Sequence, residues 1–156
     1  MSETTMQERM IEVRVIGMPI DQYRRTSEHH DELLREFTLM SADEADSTSV
    51  PRRLVALMAE LQARFSDLGT GPQTILDEAV RNGVSAVDLV YHVPPEVGPA
   101  SAEFDRLLDE ADEFCRAGDL LTLASPSDIR DLRSWFLSEF VRQTRGEPPI
   151  PWPERE

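Results

Sequence analysis

The chain has 156 residues, 40% of them hydrophobic, which suits one domain with a real core. Its 16 basic residues are all arginine, and against 30 acidic ones they leave a net charge of −14. Such a surface repels phosphate, so nucleic acid and anionic membranes are poor partners and a basic protein surface is a better one. Without lysine there is no Schiff base, P-loop lysine or lysine general base. With Cys115 as the single cysteine there is no intramolecular disulfide and no cysteine-rich zinc centre.

Residues 1–10 are polar, lack an apolar signal core and read as a disordered tail. No apolar run approaches the roughly 20 residues that span a bilayer, so a cytoplasmic location is expected. Ile11 to Gly17 alternates, with Ile11, Val13 and Val15 on one face and Glu12 and Arg14 on the other, which predicts a half-buried strand. Pro19 marks the junction to a helix over Asp21 to Met40. Tyr23, His30, Leu33, Leu34 and Phe37 form its apolar face, and Glu28, Glu32 and Glu36 form an acidic stripe at a spacing of four.

Residues 41–49 are acidic and small and read as a loop. Ser49 is placed to cap a helix over Pro51 to Phe65. A further helix is expected from Pro72 to Arg81, stopped by Asn82 and Gly83. Ala86 to Val93 predicts a second strand with Val87, Leu89, Tyr91 and Val93 on one face, and Pro94 repeats the strand-to-proline junction of Pro19. A helix over Ala100 to Ala117 follows, with Phe104, Leu107, Leu108, Ala111, Phe114 and Cys115 inward. Residues 119–124 read as a short strand or extended segment. Ser125, Pro126 and Asp128 then predict a helix start, with Ser125 as cap, and the helix runs to Arg145. Residues 146–156 form a proline-rich tail whose Trp152 should dock on the domain. The sum is one α/β (α+β) domain over 11–145, with a three- or four-stranded sheet and helices on one face. The apolar faces Leu54 to Phe65 and Trp135 to Val141 leave room for a homodimer.

Candidate chemistry is sparse. His29 and His30 are neighbours on a helix, pointing about 100° apart, and do not suit one metal ion. Asp105, Asp109, Glu110, Asp112 and Glu113 crowd one helix opposite its apolar stripe and read as a solvated acidic face, able to dock a basic partner. Cys115 falls on the buried side of its helix, where a thiol is inert. Glu78 and Asn82 match only two letters of an ATPase N-box, and Asn82 is better explained as a helix stop. No catalytic set, metal site or cofactor is expected. Tyr91, His92, Arg133 and Trp135 are the candidate lining of a ligand pocket at the sheet–helix junction.

Several strings occur together: Val13 to Pro19, His29 to Phe37, Val87 to Pro94, Leu107 to Cys115, Leu120 to Pro126, Arg133 with Trp135, Glu139 to Gly146, and Pro151 with Trp152. With them the chain resembles an uncharacterised actinobacterial family whose members accompany anti-sigma regulatory ATPases and their antagonists in partner-switching systems. The chain lacks the ATP-binding boxes of those kinases and the phosphorylated-serine motif of their antagonists. The resemblance implies an accessory regulatory protein that works by protein–protein contact, with a signalling or sigma-system protein as partner. The expected contact surface is the acidic set Glu28, Glu32, Glu36, Asp109, Glu110 and Glu113. The alternative expectation is a small-ligand sensor.

Overall fold

A computed structural model describes residues 10–42, 49–118, 120 and 123–152. Residues 1–9 of the expected N-terminal tail, 43–48 of the acidic loop, and 153–156 lie outside the described residues. So do Asp119, Leu121 and Thr122 of the expected extended segment. The order of elements is β1 (Ile11–Pro19), α1 (Ile20–Ala42), α2 (Val50–Phe65), a 3-10 turn (Ser66–Gly69), α3 (Thr70–Asn82), β2 (Ala86–Val93), α4 (Val97–Ala117) and α5 (Ser127–Gln143). The class is α+β.

The two strands pair antiparallel, with Val13 opposite Tyr91 and Arg14 opposite Val90. Among the described residues these are the whole sheet, where three or four strands were expected. The half-repeat of strand, proline and helix gives two strands that pair directly, and the segment before α5 supplies no further one among its described residues. Alternation places Val13, Val15, Leu89 and Val93 in the core, while Glu12, Arg14, Asp88, Val90 and His92 face solvent. All the helices therefore lie on one face of the sheet, as the pattern predicts. The register slips between Val15 and Met18. Gly17 sits in that bulge at φ +79°, a region open to glycine, and the extra residue returns Met18 to the core.

Helix boundaries follow local chemistry. Ser49 Oγ accepts the Arg52 N–H at 3.4 Å, and Pro51 fills the first turn of α2, where its missing N–H costs nothing. Gly83, at φ +67°, ends α3. Helix α4 begins at Val97, three residues before the expected start. Pro99 is tolerated in a first turn, and any Cβ on Gly98 would strike the Thr144 side chain. The glycine lets α4 approach the end of α5.

The core has two clusters. One lies under the sheet and includes Val13, Val15, Met18, Ile20, Leu76, Leu89, Val93 and Phe140. The other is wholly helical, built on Leu33, Phe37, Leu54, Leu57, Leu107, Leu108 and Cys115. Phe136 touches both, and with Tyr91 and Phe140 it forms edge-to-face pairs at centroid distances of 6.0, 5.1 and 5.1 Å. The apolar faces Leu54 to Phe65 and Trp135 to Val141, expected to be spare for a dimer, are largely consumed in these clusters.

Candidate functional site

Three aspartates on α4, Asp105, Asp109 and Asp112, converge on one arginine. Their spacings of four and three put them on one helix face. Arg133 of α5 lies between them with its side chain 2% exposed. Its Nε donates to Asp105 Oδ1 at 3.1 Å and its Nη1 to Asp112 Oδ2 at 3.3 Å, while Nη2 pairs with Asp109. Asp112 is as buried as Arg133 and also accepts the Ser125 backbone N–H at 2.9 Å. A solvated face was expected here, and Asp112 at least is buried. A lone guanidinium at this depth would carry a heavy desolvation cost, and the carboxylates are what makes its burial tolerable. The expected pocket arginine is thus a structural ion between α4 and α5.

The histidines border this seam. His29 Nε2 lies 3.2 Å from Ser125 Oγ, so the hydroxyl expected to cap α5 serves the imidazole instead. His30 Nε2 is buried without a hydrogen-bond partner. Burial first, then the Arg133 charge, holds the His30 ring neutral, with its pKa lowered to about 4. Cys115 is fully buried, and burial together with Asp112 pushes its thiol up to about 11, where it is a poor nucleophile.

The other candidate pocket residues separate. His92 stands on the open face of the sheet, its side chain 65% exposed, 3.8 Å from Glu12. Trp135 donates from Nε1 to Ile150 O at 2.9 Å and packs on Trp152 at 5.2 Å. Tyr91 alone of the four lines a cavity of about 210 Å³ under the sheet. Phe65, Val97, Ser101, Phe104 and Phe140 are among its other walls, which are almost wholly apolar. Burial raises the Tyr91 phenol above its ordinary range, so it remains a neutral hydroxyl.

The expected acidic surface is divided as well. Glu110 is engaged by Arg53 of α2 through paired bonds of 3.1 and 3.2 Å, and Asp109 by Arg133. Glu113 faces outward but bonds Arg116 at 2.7 Å. Glu28 and Glu32 are exposed on α1, with Arg24 3.9 Å from Glu28, and Glu36 is half-buried.

A second buried ion was missed in the sequence. Glu139 of α5, 1% exposed, accepts from Gln143 Nε2 at 3.0 Å and from the Ile150 N–H at 2.8 Å, and pairs with Arg142. Gln143 in turn clasps Arg14 of β1, accepting its N–H at 2.9 Å and donating to its C=O at 2.8 Å. The signal was present, since Arg133 and Glu139 occupy inward positions of the stripe Ile129, Leu132, Phe136, Phe140 and Gln143. Charges at such positions point to buried partners.

No protein-family model, curated protein or solved structure matches the chain. Among the described residues no cluster of three or more His, Cys, Asp or Glu could hold a metal ion, and no helix is long and apolar enough to cross a membrane.

Proposed function

We propose that this is a non-enzymatic regulatory protein that acts by protein–protein contact, with the outer face of α1 as its electrostatic docking surface. The partner is a basic surface on a signalling protein, and the resemblance suggests a sigma-factor/anti-sigma partner-switching system in the cytoplasm. The observation that supports this is the division of the acids. Asp105, Asp109, Asp112 and Glu110 are committed to arginines of other helices, Arg133 and Arg53, whereas Glu28 and Glu32 project from α1 into solvent and, among the described residues, meet no charge from another element. Exposed charge of this kind steers association and is screened by salt. The test compares the intact chain with the Glu28→Arg, Glu32→Arg variant as baits in native extract, at low and high salt. A stoichiometric partner held at low salt and lost both on charge reversal and at high salt is the expected result. A partner retained equally by both baits overturns the acidic surface.

A second reading, a small-ligand sensor, rests on the 210 Å³ cavity with Tyr91 in its wall. Its size and apolar lining suit a compact aromatic molecule. Indole and toluene, used as probes, should raise the melting temperature of the intact chain, because only the native state holds the cavity. An unchanged melting temperature at saturating probe counts against it.

A further inference from the structure

The two edges of the sheet are unequal. Arg14 sends both its N–H and its C=O to Gln143, away from β2. In an antiparallel ladder such a residue faces a partner whose own backbone groups also point outward. Val90 is that partner, so its N–H and C=O face away from β1, and by the period of two so do those of Asp88 and His92. Among the described residues no backbone group bonds to this outer edge of β2.

The side chains along it are suited to self-pairing. Val90 is 41% exposed near the middle of the eight-residue strand, with Asp88 and His92 exposed on either side. An antiparallel pairing of β2 with a second β2, centred on Val90, sets Val90 against its symmetry mate. It also sets Asp88 against His92 of the other copy, twice over. An imidazole across from a carboxylate can donate to it whereas two carboxylates repel, and Asp88, whose Oδ1 accepts the Gly17 N–H at 2.8 Å, keeps its second oxygen for such a bond. A register centred on Asp88 or on His92 would lose much of the strand overlap and place like groups opposite each other. The flank below is compatible. Helix α3 packs under β2 and turns Gln73 toward Tyr23 of α1 at 3.0 Å. Helical spacing puts Ile75, 44% exposed, on the opposite flank of α3, and Val84, 42% exposed, lies in the link to β2.

We infer that the outer edge of β2 pairs with the same edge of a second copy of this chain, giving a four-stranded antiparallel sheet across a two-fold axis. A two-stranded sheet is marginal by itself, and a long, unguarded edge is a template for pairing. The assembly is isologous, so it closes as a dimer and does not propagate. Each copy carries −14, and salt relieves this repulsion. Dimerisation therefore strengthens with salt, while docking through α1 weakens, so the two proposals fail separately.

Sedimentation of the full chain at physiological salt tests it, and the expected species has twice the 17.7 kDa chain mass. Val90→Lys puts a charge beside its symmetry mate and should weaken association by roughly tenfold or more. Val90→Cys provides a second readout. Opposed residues of an antiparallel pair lie within disulfide reach, so mild oxidation should yield a covalent dimer, whereas the parent, whose Cys115 is buried, should not cross-link. A parent that sediments as a single chain up to high micromolar concentration overturns the proposal. So does a dimer that Val90→Lys leaves intact, or a Val90→Cys variant that stays uncrosslinked.

Discussion

One edge of the sheet is sealed and the other is bare. Along β1, Gln143 takes the place of a third strand at Arg14, and the Trp152 N–H bonds Ile16 O at 2.9 Å. Along β2 the corresponding groups of Asp88, Val90 and His92 have no protein partner among the described residues. A side chain and a proline-rich tail can thus satisfy an edge as a strand would, while giving no further chain a row of groups to pair with. The difference lies in α5, which runs beside β1 and brings Glu139, Arg142 and Gln143 with it. Among the described residues, α3 and the 3-10 turn pack against β2 but send no hydrogen bond to its outer edge.

The largest expected effect comes from breaking the seal at its centre. Glu139→Ala removes the acceptor for Gln143 and Ile150 and leaves Arg142, 20% exposed, with a weaker set of partners. Loss of one member of a buried ionic network costs about 3–5 kcal/mol, so chemical denaturation should show a large loss of stability. Hydrogen exchange should also quicken at the Arg14 and Trp152 amides more than at Val13 or Leu89. Uniform loss of protection would mean that Glu139 supports the whole fold and not one edge.

Acid sharpens the comparison, because it acts on His30, which borders the seam at Arg133. His30 has its pKa lowered to about 4 in the folded chain, against an ordinary 6.5. As pH falls through 6.5 the unfolded chain takes up a proton that the folded chain refuses. Stability is therefore lost between about pH 6.5 and 4, by about 3 kcal/mol, and this contribution levels off below that window. His30→Leu should remove that part of the pH dependence while leaving the protection of the Arg14 amide at pH 7 unchanged. Parallel stability curves for parent and variant across the window would refute the assignment.

Much of the fold was legible because it is local. Alternation at Ile11 to Val15 and Val87 to Val93, the Ser49 cap and the Gly83 stop are decided by neighbours in the chain, and the structure has them where spacing puts them. The candidate site was less legible because its pairings are distant. Arg133 and Asp105 are 28 residues apart and Gln143 and Arg14 are 129 apart. From α4 alone, Asp112 looks like its exposed neighbour Glu113, and only α5 shows that one is buried and the other is not. Ser125 was misassigned for the same reason, since its nearest competitor for the hydroxyl, His29, is 96 residues away.

A milder break of the seal is Gln143→Leu. The leucine keeps the apolar bulk but leaves the Arg14 N–H and C=O without their partner at a part-buried edge. Unsatisfied groups there cost about 1–3 kcal/mol, less than Glu139→Ala because Glu139, though it loses the Gln143 amide, keeps Arg142 and the Ile150 N–H. With its β1 edge open, the variant gains a second surface able to pair, so sedimentation should show species beyond the dimer.

The smallest expected effect on the single chain belongs to Val90→Lys. Val90 faces solvent beside Asp88 and His92, and a lysine there removes no core contact and no bond to β1. Measured at a dilution where the parent is a single chain, unfolding free energy should change by no more than about 0.5 kcal/mol. At high concentration the parent alone should gain stability, because anything that binds only the native state stabilises it by mass action. The comparison between the edges then reduces to one observation. Damage to the β1 edge lowers stability at every concentration, whereas damage to the β2 edge lowers it only where two copies meet. A Val90→Lys chain as destabilised when dilute as when concentrated would show that β2 is closed within its own fold.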